Sequence, residues 1–522
     1  MIERNTLSQR LTASVGAFAL VAMGLLGTDV ANADLGAAGT PPGNAAPGTT
    51  GQLTVHKRAG AHDGTSRDDG TVNADPGGTA LAGVEFTLQR VGLFTGGTCV
   101  AINLATTEGW DAAATALGTP PSPPAVTPAE GDLCADGAAT VQTTAGTAGS
   151  TTFAELALGL YYVTETDAPE DVVERALPFY VTVPFPTGTN LASPTQWLYD
   201  IHVYPKNSVA AKPVKTITEE PDAFVVSSDV TWIIDQVIPT LPAPGSEFSS
   251  AVLTDVLDGR LSYVSSTVQV VDPALPDGGG SPTVLDTLTT AAVDDPAGTL
   301  TWALNATDLT TLRQHMGKTI RITLVTTVDE VGNGTIPNTA VTSSFNGRTP
   351  QASESAPRTY WGNLEITAVD KDSDVGLIGA EFALWAATGG TCSLTAPGTP
   401  AVATGTSDAN GVVQWLGVTP TSPLGLWIAN SDTAMASPNK AYCVYQTKAP
   451  AGYVPITAGT LTTVTSNGGT ALEIDIDNTK RPGPDLPLTG GTGTAIFGGV
   501  GLALIVVAVA VGLSTRRKRA AK

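Results

Sequence analysis

Residues 51–57 read Gly-Gln-Leu-Thr-Val-His-Lys, and residues 362–368 read Gly-Asn-Leu-Glu-Ile-Thr-Ala. Both segments alternate apolar and polar side chains, which is the period-two pattern of a strand with one buried face. Three further pairs of segments match in the same order along the chain: 81–86 with 377–382, 96–99 with 389–392, and 163–169 with 444–450. Four matched blocks in one order predict that the chain uses a single β fold twice.

The repeat divides the chain into domains. We predict domain 1 over residues 51–209 and domain 3 over residues 358–481, with a different β domain, domain 2, over residues 210–357. Two packed antiparallel sheets are the economical way to bury strands that are apolar on one face. Abundant Gly and Pro and only 14% charged residues also suit β domains with turn-rich connections. We therefore expect an all-β chain of tandem immunoglobulin-like β-sandwiches, elongated and with little helix.

Both ends of the chain carry export signals. Residues 1–33 combine a basic start, an apolar run and Ala-Asn-Ala at the end, the pattern of a cleaved secretory signal peptide. Residues 34–50, rich in Gly, Pro, Ala and Thr, are predicted to be a flexible leader. Residues 482–522 hold a Pro-rich linker, nineteen uncharged residues over 495–513 and a basic cluster. The last two features are typical of a membrane span with a cytoplasmic tail, so the body of the protein is expected outside the cell.

Composition excludes several classes of partner and chemistry. A formal net charge of −22 argues against nucleic acid or anionic lipid as a partner. The four His residues are scattered, and we find no metal-ligand pattern, Ser-His-Asp order or Gly-rich phosphate loop. The sequence therefore predicts no enzyme, no cofactor and no metal.

Residues 486–490 read Leu-Pro-Leu-Thr-Gly and precede the apolar run and the basic tail. This arrangement is similar to the sorting signal of Gram-positive wall proteins, which sortase transpeptidases read through residues equivalent to Leu486, Pro487, Thr489 and Gly490. By that resemblance a cysteine enzyme cuts after Thr489 and holds it as a thioester until an amine attacks. The resemblance implies a protein anchored to peptidoglycan, with a precursor transiently in the cytoplasmic membrane.

Residues 197–207 read Trp-Leu-Tyr-Asp-Ile-His-Val-Tyr-Pro-Lys-Asn. They resemble the pilin motif of Gram-positive backbone pilins, in which a Trp and alternating apolar residues lead to Val-Tyr-Pro-Lys. By that resemblance Lys206 is the acceptor amine, and Thr489 of one subunit becomes amide-linked to Lys206 of the next. A lysine at a strand end is ordinarily a solvated charge, but its occurrence with a sorting signal and a string of β domains favours the acceptor role.

Residues 162–169 look like the E-box of the same family. The resemblance implies that Glu165 promotes an intramolecular isopeptide bond between Lys57 on the first strand and Asn207 on the last. The chemistry needs these residue types, because an apolar site makes the lysine a neutral nucleophile and lets a protonated carboxyl polarise the amide. Held in contact, the pair would react without an external enzyme and release ammonia.

In domain 2, Lys215, Asp255 and Asn338 resemble the Lys, Asp and Asn of the family's middle domain, with Asp229 as a weaker candidate for the carboxyl. Domain 3 departs from the pattern. The repeat aligns Lys57 with Ala368, Glu165 with Gln446 and Asn207 with Asn478. Nucleophile and acid are both missing, so no isopeptide bond is predicted in domain 3.

Four cysteines in an exported chain indicate two disulfides, for which three pairings are possible. The pairing within domains is Cys99–Cys134 in domain 1 and Cys392–Cys443 in domain 3. A disulfide that closes a loop of this size stabilises a fold by roughly 3 to 5 kcal/mol.

The resemblance to sortase-assembled backbone pilins covers nearly the whole chain, and it implies Cna-type sandwiches for domains 1 and 3. We expect a structural subunit that pilus-specific sortases polymerise head to tail with identical subunits and that a housekeeping sortase attaches to peptidoglycan. Tip and basal pilins would be further partners, and the fibre would support adhesion. The alternative is a single-copy wall-anchored adhesin or a basal, ancillary pilin. An enzyme displayed on β modules is disfavoured, since no nucleophile and base converge in the sequence.

Overall fold

The computed structural model describes residues 36–60, 69–116, 122–188, 194–241, 245–272, 282–466, 469–483 and 491–519. The predicted signal peptide and the segment 486–490 lie outside these residues. The described residues form two compact units, one within Met1–Pro169 and Arg175–Ser208 and the other within Glu170–Glu174 and Val209–Lys522. The second unit contains both predicted domains 2 and 3. Strands dominate both units, which confirms the all-β prediction.

In residues 36–209 the elements are β1 (Thr50–His56), β2 (Arg58–Ala59), β3 (Thr79–Ala80), β4 (Glu85–Thr95), β5 (Thr98–Ala101), α1 (Thr107–Ala116), β6 (Leu133–Ala135), β7 (Thr140–Thr143), β8 (Ser150–Ala157), β9 (Gly159–Asp167), β10 (Val172–Glu174), β11 (Phe179–Val183), β12 (Phe185–Thr187), β13 (Gln196–Leu198), β14 (Asp200–Val203) and β15 (Lys206–Val209). Strand β10 is grouped with the second unit. In the first unit β1 lies between β8, which is antiparallel to it, and β14, which is parallel. A second sheet is built around β4, which pairs with β5, β6, β7 and β9.

The core of the first unit lies between these sheets. Its fully buried side chains alternate along the strands, as the period-two pattern of residues 51–57 predicts. They include Leu53, Val55, Phe86, Val163 and Ile201.

The leader is packed, although its composition predicts a flexible segment. The backbone N–H of Gly39 donates to Trp197 O at 2.8 Å, and the Tyr199 hydroxyl donates to Thr40 O at 3.0 Å. Pro42 is buried and begins a short 3-10 turn. These contacts leave no pattern in the sequence of the leader, because Trp197 and Tyr199 are distant along the chain.

Domain 2 contains β16 (Val214–Ile217), β17 (Asp229–Val237), β18 (Ala251–Val256), β19 (Leu261–Asp272), β20 (Thr283–Thr287), β21 (Val293–Asp294), β22 (Thr299–Ala303), α2 (Ala306–Gln314), β23 (Thr319–Val328), β24 (Thr335–Pro337), β25 (Ala340–Phe345) and β26 (Gln351–Ala352). Two five-stranded sheets, β16-β17-β23-β19-β20 and β21-β22-β18-β25-β26, enclose one core. Trp232 and Trp302 are fully buried in it.

Domain 3 contains β27 (Arg358–Asp370), β28 (Glu381–Ala386), β29 (Ala403–Ser407), β30 (Val413–Trp415), β31 (Leu424–Ser431), β32 (Asn439–Lys448), β33 (Thr460–Thr465) and β34 (Ala471–Asn478). Its first strand, β27, is parallel to its last strand, β34, as β1 is to β14 in the first unit. The other sheet has the order β30-β29-β28-β32-β33. The same parallel closure in both domains is the structural counterpart of the sequence repeat.

Domains 2 and 3 pack against each other within the second unit. Strand β24 of domain 2 pairs with β27, and Val225 forms a β-bridge with Leu426. The Phe224 ring stacks on the Trp427 ring with centroids 4.8 Å apart. A last helix, α3 (Gly491–Arg519), contains the stretch Gly498–Arg516, which is long and apolar enough to cross a membrane.

Candidate crosslinking sites

The predicted triad of domain 1 meets where the first and last strands of the unit end. Strands β1 and β14 pair in parallel through Val55 and Val203, and the pairing continues past a break with Asn207 opposite Ala59. Parallel strands side by side bring their ends to one place, so Lys57 and Asn207 converge. Both residues are 0% exposed.

Glu165 on β9 contacts both partners. One carboxylate oxygen, Oε2, lies 2.9 Å from Lys57 Nζ, and the other, Oε1, accepts a hydrogen bond of 2.6 Å from Asn207 Nδ2. Among the described residues, the buried amine has no hydrogen-bond acceptor besides this carboxylate. The Phe86 ring, 5.6 Å from Nζ to its centroid, closes the apolar side of the site.

Burial changes the acid–base behaviour of Lys57. Loss of water around Nζ lowers the pKa of Lys57 to about 8, and the attraction of Glu165 offsets only part of that effect. At pH 7 about one amine in ten is therefore neutral, against fewer than one in a thousand for an exposed lysine. The neutral amine is the form that can act as a nucleophile.

In domain 2 the second predicted triad also converges. Lys215 on β16, Asp255 on β18 and Asn338 are all buried, with at most 1% of each exposed. Lys215 Nζ lies 2.5 Å from Asp255 Oδ2, and Asn338 Nδ2 lies 3.4 Å from the same oxygen. The Trp232 ring covers the amine, with its centroid 5.3 Å from Nζ.

The electrostatics of this second site favour neutral partners. Burial lowers the pKa of Lys215 to about 8 and raises the pKa of the Asp255 carboxyl. Both shifts favour transfer of the proton from lysine to aspartate. The other candidate carboxyl, Asp229, accepts a hydrogen bond from the Thr327 hydroxyl at 2.6 Å and is only half-buried. The geometry therefore supports Asp255 as the partner of Lys215.

Domain 3 places three different side chains at the equivalent position. Ala368 and Asn478 are fully buried, and Gln446 Nε2 donates to Asn478 Oδ1 at 2.7 Å. Asn478 Nδ2 donates to Ile476 O at 2.8 Å. An amide pair thus occupies the place of the lysine, acid and amide of domain 1. The lysine that follows Ala368 by three residues, Lys371, is exposed.

An ion pair that the sequence analysis missed lies beside this amide pair. Asp370, the last residue of β27, is 2% exposed and accepts hydrogen bonds from Lys480 Nζ at 3.0 Å and from the Tyr453 hydroxyl at 2.6 Å. Lys480 stands two residues beyond the end of β34. The three side chains, here called the Asp370 cluster, join the ends of the first and last strands without a covalent bond. Its members are far apart in sequence and form no motif.

The Asp370 cluster should make domain 3 sensitive to acid. Hydrogen bonds from Lys480 and Tyr453 lower the pKa of Asp370 well below its usual value. A lowered carboxyl pKa stabilises the fold above the pKa of the unfolded chain, about 3.9, and this contribution is lost as the pH falls below that value. Asp370→Asn should therefore lower the urea midpoint of domain 3 at pH 6, and the difference from the unmodified chain should shrink steadily below about pH 4.

Asp374→Asn, a change of an exposed carboxylate in the same loop, is the matched control and should leave the midpoint unchanged. A constant difference between Asp370→Asn and the unmodified chain from pH 6 to pH 2 would contradict the assignment.

Two disulfides lie within the domains. Cys99 bonds to Cys134 across 35 residues of domain 1, and Cys392 bonds to Cys443 across 51 residues of domain 3. In domain 1 the bond joins β5 to β6, which both pair with β4. In domain 3 the bond leaves the end strands β27 and β34 unconnected.

Lys206 differs from its neighbour in the direction of its side chain. It is half-buried, whereas Asn207 is sealed in the core, and adjacent residues of a strand point to opposite faces. Lys206 Nζ lies beside Gly77. A Cβ atom placed on this glycine would be 3.5 Å from the amine nitrogen. Arg58 holds this turn by donating to Gly77 O and Gly78 O at 3.2 and 2.8 Å. Leu486, Pro487, Thr489 and Gly490 lie outside the described residues.

Two families of known proteins match the sequence. The family described as Gram-positive pilin subunit D1, N-terminal domain, matches residues 48–208, and the LPXTG cell wall anchor motif matches residues 480–520.

Individual relatives agree with these matches. Fimbrial subunit type 2 of Actinomyces naeslundii is 32% identical over 571 aligned positions, which cover 99% of this chain and 98% of that protein. Fimbrial subunit type 1 of Actinomyces viscosus is 30% identical over 41% of this chain and 37% of its own length. Among solved structures, the full-length major pilin SpaD of Corynebacterium diphtheriae superposes with a TM-score of 0.58 at 24% identity, covering 84% of this chain and 100% of SpaD. The structural similarity to SpaD supports the β fold described above.

Proposed function

This chain belongs to the family of Gram-positive fimbrial subunits, and from that premise we propose that it is the repeating backbone pilin of a covalent fibre. It is a cell-wall-anchored surface protein with a pilin domain and an LPXTG anchor. In the proposed fibre, the Thr489 carboxyl of one subunit is joined to the Lys206 amine of the next. The fibre would be attached to peptidoglycan and would support adhesion.

The observation that carries this proposal is the alternation of Lys206 and Asn207 on β15. The two adjacent residues face opposite sides of one strand, so a single strand can serve two linkages. Asn207 faces Glu165 and Lys57 inside the domain, and the half-buried Lys206 points to the opposite face, where the proposed acyl-enzyme would approach. Attack by the Lys206 amine on the thioester of Thr489 would form the amide and release the sortase thiol.

The proposal assigns a role to each of the expected partners. A pilus-specific sortase would catalyse the transfer to Lys206, and a housekeeping sortase would transfer the finished fibre to peptidoglycan. Tip and basal pilins would end the polymer. The test is electrophoresis of wall extracts boiled in SDS, because a covalent fibre gives a ladder of high-mass bands and a single-copy wall protein gives one band.

We further propose intramolecular isopeptide bonds between Lys57 and Asn207 and between Lys215 and Asn338, promoted by Glu165 and Asp255. The support is the burial of both triads, the lowered pKa of both lysines and the contact of each carboxyl with amine and amide. Domain 3, with Ala368 and Gln446, is proposed to have none.

The measured mass of the mature protein should therefore be lower than the mass calculated from its sequence. Each bond releases one ammonia, about 17 Da, so the mature chain of residues 34–489 should be about 34 Da lighter than calculated, beyond the loss from two disulfides. Intact-mass spectrometry measures this directly. A deficit of about 51 Da would contradict the assignment of domain 3, and no deficit would contradict both triads.

The positions of the proposed bonds predict which domain extends under load. Tension that enters at Lys206 and leaves at Thr489 passes through domains 2 and 3 and largely bypasses domain 1. Domain 2 would be held by its Lys215–Asn338 bond. Domain 3 should unfold and release roughly 70 residues outside its disulfide loop of 51, about 250 Å at ~3.5 Å per residue.

Single-molecule pulling of the second unit measures this extension. Reduction of Cys392–Cys443 should lengthen the step by about 180 Å, since it releases the loop of 51 residues. A domain 3 that does not extend would contradict the proposal.

A further inference from the structure

In domain 1 a backbone donor faces the amide carbonyl of Asn207. The N–H of Ala176 donates to Asn207 Oδ1 at 2.8 Å and also lies 3.3 Å from Glu165 Oε2. Asn207 Nδ2 donates to the other oxygen of Glu165 at 2.6 Å. The carbonyl oxygen is thus held by a neutral donor, and the carboxylate is left facing the amine and the leaving nitrogen.

We propose that the Ala176 N–H is the oxyanion-hole donor for formation of the Lys57–Asn207 isopeptide bond, and hence that Ala176 is a catalytic residue of domain 1. This inference rests on the proposed bond between Lys57 and Asn207. It adds to Glu165 a second group that acts on the reacting amide.

The proposed reaction joins Lys57 Nζ to Asn207 Cγ and releases ammonia. The Lys57 ammonium gives a proton to Glu165 Oε2, and the neutral Nζ attacks Asn207 Cγ and forms the new C–N bond. Negative charge collects on Oδ1, where a preorganised N–H at 2.8 Å stabilises it without reorganisation. Glu165 Oε1 is hydrogen-bonded to Nδ2, so a turn of the carboxyl group brings the proton to that nitrogen. The old C–N bond breaks and ammonia leaves, and the Glu165 carboxylate takes the second proton from Nζ, so that Glu165 ends protonated.

Arg175 holds the peptide that carries this N–H. Its guanidinium donates to Thr166 O at 2.7 Å and to Asp167 Oδ1 at 3.2 Å, both at the end of β9. The Arg175–Ala176 peptide is thereby tied to the strand that carries Glu165. Arg175 is a positioning residue, because it touches none of the reacting atoms.

The other two domains show what this donor changes. In domain 3 a loop N–H in the same place, that of Ile456, donates to Gln446 Oε1 at 3.2 Å, and Asn478 Oδ1 takes its bond from Gln446. In domain 2 Asn338 Oδ1 and Asp255 Oδ1 have no donor among the described residues. Domain 2 therefore depends on a proton on Asp255 to polarise its amide, whereas domain 1 has a fixed donor.

The test replaces the Ala176 N–H by an ester oxygen. Lactic acid is incorporated at position 176 of the mature chain by nonsense suppression in cell-free synthesis. Samples are quenched over time and digested, and mass spectrometry follows the crosslinked peptides of both triads. Leucic acid at the exposed position 177 is the matched ester control, and the Lys215–Asn338 bond is the internal clock of each sample.

Loss of one oxyanion-hole donor slows such reactions by roughly 100-fold or more. The ester at position 176 should slow the Lys57–Asn207 bond by about that factor but let it reach completion, with the domain-2 bond and the control at position 177 unaffected. Arg175→Ala, which keeps the N–H, should slow the same bond by less.

Closure of the ester variant at the rate of the unmodified chain would overturn the inference. So would a bond that never forms in the variant, because a lost donor slows closure without stopping it. Absence of the bond in the unmodified chain is a separate result, which would remove the proposed domain-1 bond itself.

Discussion

Lys206→Ala should turn a ladder of covalent high-mass fibres into a single monomer band. The substitution removes the one amine that the proposal gives to polymerisation, and the sorting signal is left intact. The monomer should therefore still reach the cell wall through Thr489. Wall extracts boiled in SDS and probed for this protein provide the measurement.

Lys212→Ala is the matched control, since Lys212 is an exposed lysine six residues further on that pairs with Glu354. It should keep the full ladder. A ladder that persists in Lys206→Ala would rule out Lys206 as the acceptor. A native strain that shows one band only would favour the single-copy adhesin or basal pilin.

Asp255→Ala should remove the domain-2 bond and destabilise the second unit strongly. The mass deficit of the mature chain should fall from about 34 to about 17 Da, because Lys215 and Asn338 would no longer react. Loss of a crosslink that closes a loop of more than 100 residues costs roughly 5 kcal/mol in the chain-entropy model. The unpaired buried lysine adds about 3 kcal/mol or more.

Intact mass and urea unfolding of the mature chain measure both effects. Asp229→Ala removes the other candidate carboxyl and should keep the mass deficit of about 34 Da. This result would show that removal of a half-buried aspartate does not by itself prevent the Lys215–Asn338 bond. If Asp229→Ala loses the bond and Asp255→Ala keeps it, the roles of the two carboxyls are exchanged.

The triad of domain 1 could be predicted because each member stands at a place that sequence pattern marks. Lys57 ends a strand with period-two alternation, Glu165 lies in a recognisable box, and Asn207 follows the Val-Tyr-Pro-Lys motif. The repeat then identified Ala368, Gln446 and Asn478 as their counterparts. In the parallel register of β27 with β34, Asn478 lies opposite Asp370, two residues after Ala368, as Asn207 lies opposite Ala59, two residues after Lys57.

Three other features of the structure are not indicated by any sequence pattern. The Asp370 cluster joins residues from β27, a loop and the segment after β34, and only tertiary packing brings them together. The donor at Ala176 is a backbone N–H. Its direction is set by the backbone and not by the side chain, so an alanine in the sequence does not reveal it. The packed leader depends on Trp197 and Tyr199, about 160 residues further along the chain.

The linkage between Thr489 and Lys206 is tested most directly on fibres purified from the native cell. Tryptic digestion and tandem mass spectrometry should yield a branched peptide in which the Thr489 carboxyl is bonded to Lys206 Nζ. Recovery of Lys206 only in linear peptides with a free side-chain amine would contradict the account.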